Sequence, residues 1–142
     1  MSSNECLIDM DELTNAALAA ANHSYSPYSG FRVGAALQLS NGHVVTGSNV
    51  ENVSYGLTIC AERAALVSAV TRFGPDIRIK AVAVVNLNDA PSPPCGACRQ
   101  VLAEFMDEDA VVSFPGGSAG DVSKMTLPIG ELLPNGFDLK LK

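Results

Sequence analysis

Seven consecutive residues, Ile79-Lys80-Ala81-Val82-Ala83-Val84-Val85, are apolar at every position but one and rich in valine. A strand with one wet face alternates apolar and polar side chains. A strand without that alternation is buried on both faces, and its sheet needs a helical layer on each side.

The rest of the chain supplies such layers. Asp9 followed by Glu12 has the form of a capping box, opening a helix whose Leu13, Ala16, Ala17, Ala20 and Ala21 share one stripe to about Asn22. His23 to Gly30 is a loop. Phe31, Val33, Ala35, Leu37 and Leu39 alternate with Arg32, Gly34, Ala36, Gln38 and Ser40, which predicts a strand. Asn41-Gly42 is a hairpin turn signal, and His43 to Ser48 is the return strand. After a loop from Asn49 to Leu57, Thr58 is placed to cap a helix from about Cys60 to Phe73, which Gly74-Pro75 stops. A third helix is expected from about Cys95 to Phe105, a short strand over Ala110 to Phe114, and a short helix over Pro128 to Leu133. The Gly- and Ser-rich stretch from Pro115 to Lys124 is expected to be a mobile loop. There is no internal repeat. This order predicts a three-layer α/β/α sandwich around a mixed sheet of about five strands, in one domain over residues 1–142.

Composition narrows the function. With 47% apolar and 17% charged residues the chain is globular rather than disordered. No apolar run reaches the ~18 residues of a membrane span. The start, Met1 to Cys6, lacks the layout of a secretory signal, so a cytoplasmic location is expected, where cysteines serve more often as ligands or catalysts than as disulfides. The net charge is −6 and the nine Lys and Arg are scattered. A polynucleotide needs a basic stripe to neutralise its phosphates, so a neutral small molecule fits better.

Cys60 opens the second helix, and Cys95 and Cys98 open the third. Both helices follow segments that can end at the same sheet edge, where their N-termini would converge. Partial positive charge and free N–H groups at a helix N-terminus favour thiolate over thiol. Three converging thiolates make a soft zinc site with an open fourth position, as catalytic sites have, and water bound there ionises near neutral pH. Glu62 is the candidate proton shuttle beside it. Residues two apart do not face each other along a regular helix, but first-turn side chains converge on a metal lying off the helix end. A ligand two residues before a non-ligating Glu, followed by Pro-Cys-x-x-Cys, is the known arrangement of zinc deaminases. Here it reads Cys60-Ala61-Glu62 and Pro94-Cys95-Gly96-Ala97-Cys98.

Two non-deaminase readings compete. Taken alone, Cys95-Gly96-Ala97-Cys98 has the form of a thiol redox motif, which leaves Cys60 and Glu62 without a role. A structural zinc module needs a fourth ligand from His23, His43 or Cys6. The histidines fall on or near the hairpin region, away from the helix starts, and Cys6 is expected to be incidental, near the chain terminus.

The chain resembles the small homotetrameric cytidine deaminases. The resemblance is carried by Pro27 to Leu37, Gly47 to Asn52, Ser54 to Ala64, Pro94 to Leu102 and Glu131 to Phe137. The Gly- and Ser-rich stretch before Lys124 is the least similar part. The resemblance implies one zinc per subunit on Cys60, Cys95 and Cys98, with Glu62 moving protons during hydrolytic deamination of free cytidine and deoxycytidine. It implies that the Ala61 N–H binds the pyrimidine O2, that Asn49 and Glu51 hold the ribose hydroxyls and that Phe31 packs on the base. Phe137 would reach the base from a neighbouring subunit of a homotetramer. Read from the residues alone, Phe31 also fits a core strand position, and Asn49 and Glu51 also fit a turn. Tyr28 and Tyr55 fit either core or interface. Arg63 is expected to hydrogen-bond thiolate sulfur, because Zn²⁺ and three thiolates sum to a single negative charge that weakens the metal as a Lewis acid. Within enzymes the rival is a deaminase of another cytosine nucleoside, such as a blasticidin-type antibiotic.

Overall fold

The computed structural model describes residues 8–137, so Cys6 lies outside the described residues. Helix α1 spans Met10–Ala21, strand β1 Val33–Leu39, β2 Val44–Ser48, α2 Ala61–Phe73, β3 Ile79–Asn86, α3 Gly96–Ala103, β4 Met106–Ser118, β5 Asp121–Pro128 and α4 Ile129–Leu132. The five strands form one mixed sheet in the order β2-β1-β3-β4-β5. Only β3 and β4 run parallel. The expected three-layer α/β/α arrangement is what the chain adopts.

The period of two along β1 and β3 sorts side chains between the layers. Leu13, Ala17 and Ala21 of α1 pack on Ala36, Ala83 and Val85 on one face. On the other face Leu37, Leu39, Val82, Val84, Val112 and Phe114 pack against Ala65, Leu66 and Ala69 of α2, Leu102 of α3 and Ile129 and Leu132 of α4. Small residues let backbone meet backbone. A Cβ on Gly34 would lie 2.0 Å from the Ala17 carbonyl oxygen, and one on Gly47 would lie 2.5 Å from the Ala65 nitrogen. Thus α1 and α2 sit closer to the sheet than any side chain at those positions permits.

Capping follows the sequence at α1, where the Asp9 carboxylate accepts the Glu12 N–H at 2.8 Å. It departs at α2. Thr58 does not cap that helix, because a 3-10 turn over Tyr55–Leu57 ends there and Cys60 itself is the extended N-cap residue. Two other expectations are corrected. The Gly- and Ser-rich stretch is no mobile loop: β4 begins at Met106, four residues early, and runs to Ser118, while β5 returns from Asp121 after a two-residue turn. Gly120 at φ +84° provides the turn. Phe31 and Arg32 lie before β1 and outside its ladder, so Phe31 is not a core strand residue.

Candidate active site

Strand direction explains where the chemistry gathers. β1 is antiparallel to both β2 and β3, so β2 and β3 point the same way and deliver the segments that lead into α2 and α3 to one sheet edge. This is the carboxyl edge of those strands, where open α/β sheets place their sites. β1 starts at the same edge, with Gly34 opposite Ser48 and Val33 opposite Asn86, so Phe31 arrives there too.

The three cysteines converge as expected. Cys60 is the N-cap of α2 and Cys95 the N-cap of α3. The Sγ atoms of Cys60, Cys95 and Cys98 all lie within 4.8 Å of one another, with Cys60 and Cys95 at 3.8 Å. No histidine or carboxylate joins them among the described residues, so neither His23 nor His43 serves as the fourth ligand of a structural site. The Cys95 sulfur accepts the Cys98 N–H at 3.4 Å, so the helix start itself stabilises charge on sulfur. The donor set suits zinc: three sulfurs close enough together to share one ion.

Arg63, one turn into α2, donates from Nη2 to the Cys60 sulfur at 3.4 Å. Hydrogen bonds from Cys98 and Arg63 hold the Cys60 thiol down at about 5. Donation to the Cys60 thiolate, with burial, pushes the Cys98 thiol up. Glu62 is only 4% exposed, and burial pushes its carboxyl up to about 7, with the Cys60 charge adding to the effect. A carboxyl poised near neutrality both accepts and gives a proton. Ala61, buried at the first position of α2, has one of the N–H groups that helix geometry leaves without an intrahelical acceptor.

The loop after β2 is folded back by an antiparallel bridge in which Val50 and Ile59 exchange N–H···O bonds of 3.0 and 2.9 Å, which sets Asn49 opposite Cys60 and Glu51 opposite Thr58. Asn49 is buried; its carboxamide donates to the Phe31 carbonyl at 2.8 Å and accepts from the Val33 N–H at 2.9 Å and the Ser24 hydroxyl at 2.5 Å. Glu51 accepts from the Tyr28 and Ser29 N–H groups, each at 3.1 Å, and from the Ser29 hydroxyl. These bonds hold its carboxyl below the usual carboxylate range, the Ser29 hydroxyl contributing most. Phe31 is further clamped by Asn88, whose side chain accepts the Arg32 N–H at 2.9 Å and donates to the Gly30 carbonyl at 3.0 Å. Tyr28 and Tyr55 meet edge to face at 6.1 Å, so they join the two loops.

Phe137 is not gathered in. It is 77% exposed, its carbonyl accepts from Gln100 of α3 at 3.1 Å, and it lines a separate concavity with Arg78, Met106 and Ile129. Sequence reasoning overlooked Ser24, Ser29 and Asn88. Ser29 had a signal, a loop serine two residues before Phe31, but its partner Glu51 is 22 residues away.

A profile of the cytidine and deoxycytidylate deaminase zinc-binding region matches residues 8–114. A cytidine deaminase of Halalkalibacterium halodurans is 46% identical over 130 residues, covering 92% of this chain and 95% of that protein. The crystal structure of cytidine deaminase from Burkholderia pseudomallei superposes with a TM-score of 0.77 at 44% identity, over 92% of this chain and 100% of the other. That of cytidine deaminase from Mycobacterium tuberculosis does so with 0.77 at 40% identity, over 93% and 99%.

Proposed function

The chain belongs to the cytidine and deoxycytidylate deaminase family, and from that premise we propose that it hydrolyses free cytidine and deoxycytidine to uridine and deoxyuridine, releasing ammonia. The observation that carries the reading is the convergence of three cysteine sulfurs within 4.8 Å at two helix N-termini, with the buried Glu62 beside them.

Cys60, Cys95 and Cys98 would hold zinc, which would supply a Lewis acid able to make a water molecule acidic near neutral pH. Glu62 carries the protons. It takes one from the attacking water and gives it to N3 of the base, then passes the second to the amine, which leaves as ammonia. The Ala61 N–H orients the ring through O2. Phe31 packs on the base, and Asn49 and Glu51 hold the sugar. Arg63 offsets the thiolate charge. No basic cluster lies among these groups, which supports a nucleoside over a nucleotide.

Ammonia release with matching uridine formation from cytidine, by the zinc-loaded protein, tests the reading. Turnover that vanishes in Glu62→Gln while zinc is retained supports it. Absence of turnover in zinc-loaded wild type, with turnover of another cytosine nucleoside, moves the substrate.

Assembly belongs to the same proposal. The exposed Val53, Tyr55 and Leu57 of the loop after β2, together with Phe137, suit burial against other copies in a homotetramer, where Phe137 completes a neighbour's site. Phe137→Ala should raise KM with zinc content unchanged; an active monomer in sedimentation refutes the assembly. Among the described residues no helix is long and apolar enough to cross a membrane. Three free cysteines at a metal site suit the reducing cytoplasm.

A further inference from the structure

The two sugar-holding residues have most of their hydrogen-bonding capacity already committed to the protein. A carboxylate has about four acceptor positions. In Glu51, Oε1 takes the N–H groups of Tyr28 and Ser29, and Oε2 takes the Ser29 hydroxyl. One position on Oε2 is left. In Asn49, one N–H goes to the Phe31 carbonyl, and the carboxamide oxygen takes the Val33 N–H and the Ser24 hydroxyl. One N–H is left. The pair therefore has one donor and one acceptor remaining, the complement of a hydroxyl pair on a sugar.

Which way that acceptor points depends on Ser29. Two N–H groups on Oε1 pin one oxygen but let the carboxylate plane swing about it. A bond to Oε2 fixes the plane. The direction of that bond is fixed in turn, because the Ser29 oxygen accepts the Phe31 N–H at 2.9 Å, which leaves its proton for Glu51. The same hydroxyl thus ties the sugar anchor to the residue that packs on the base.

We propose that Ser29 is a positioning residue: its hydroxyl orients the Glu51 carboxylate so that the remaining Oε2 acceptor meets a ribose hydroxyl. The inference rests on the nucleoside reading and adds a residue to it.

The experiment compares wild type, Ser29→Ala and Ser29→Thr on cytidine and on 2′,3′-dideoxycytidine, which lacks both ring hydroxyls. Zinc content and Tm are measured alongside. Ser29→Ala should raise KM for cytidine ~10-fold, the size of one hydrogen bond to a charged group, with kcat within about twofold. Ser29→Thr, which keeps the hydroxyl at an exposed position, should recover most of that loss. On dideoxycytidine the Ala variant should match wild type. An unchanged KM for cytidine, a Thr variant as impaired as Ala, or an equal loss on both substrates overturns the proposal. Wild type that fails on cytidine overturns the nucleoside reading itself, whatever the variants do.

Discussion

Gly47 separates the stability of this fold from the geometry of its site. A Cβ there would lie 2.5 Å from the Ala65 nitrogen and 2.7 Å from the Ala61 carbonyl oxygen. Ordinary contact begins near 3.4 Å, so in Gly47→Ala the first turns of α2 withdraw from β2 by about 0.7–0.9 Å. Both obstructing atoms are backbone, so no side chain can rotate aside. Overpacking of this kind costs about 2 kcal/mol, or a Tm fall of about 8 °C for a chain of this size. The chemical cost is larger, because the displaced turn carries Cys60, Ala61 and Glu62 while Cys95 and Cys98 stay on α3. A displacement near 1 Å costs ~100-fold in rate. Gly34→Ala is the control. Its Cβ would meet the Ala17 carbonyl oxygen at 2.0 Å, a worse clash, but it displaces α1, which bears none of the site residues. The expected outcome is that Gly34→Ala loses at least as much Tm as Gly47→Ala, yet only Gly47→Ala loses kcat ~100-fold and binds zinc more weakly in competition with a chromophoric chelator. Wild-type kcat and zinc affinity in Gly47→Ala, or activity losses in the two variants that simply track their Tm, would refute the reasoning.

Arg63→Ala removes the one side chain seen donating to Cys60 from outside the cluster. Zinc affinity or kcat should fall ~10-fold or more, as for other groups that support metal ligands, and full activity with an unaltered pH profile would exclude that role. Stripping the metal with a chelator should abolish turnover and lower Tm, and added Zn²⁺ should restore both, because a ligand that binds only the folded chain stabilises it; a Tm unmoved by chelation would argue against a bound ion. Glu51 gives a pH prediction. Its carboxyl is held below the usual carboxylate range chiefly by the Ser29 hydroxyl, which favours the ionised form, and on the proposed reading protonation removes the acceptor a sugar hydroxyl needs. KM for cytidine should therefore hold steady on acidification until below the usual carboxylate range, and should begin to rise at a higher pH in Ser29→Ala; coincident profiles would contradict this.

The parts legible in the sequence are those with a local cause. Asn41-Gly42 sets the β1–β2 hairpin, Gly74 at φ +92° ends α2, and the valine-rich run from Ile79, apolar but for Lys80, becomes a strand between two helical layers. The cysteines were legible because helix starts have a sequence signature and strand order sets which edge they share. The second half of β4 and the whole of β5 were not. Pro115, Gly116, Gly117 and Ser118 have low strand propensity, and their pairing with Asp121 to Lys124 is carried by backbone hydrogen bonds and a two-residue turn. The clamp around Phe31 was also hidden. Asn88 reaches Arg32 and Gly30 across 56 and 58 residues of sequence, and no periodicity announces a contact of that kind.

These two kinds of legibility divide the site. The metal ligands and Glu62 sit at starts of helices whose buried faces belong to the main core, so their positions are as stable as the fold. Phe31, Asn49 and Glu51 are set by eight side-chain hydrogen bonds, nearly all among loop residues and six of them exposed to water. Such bonds contribute little net stability each and open locally without unfolding the core. Amide exchange should accordingly be far faster at Phe31, Arg32 and Glu51 than at Ala65 and Leu66. Substrate affinity should then be lost at denaturant concentrations that leave zinc bound. Simultaneous loss of both would mean that the loops and the metal site form one cooperative unit.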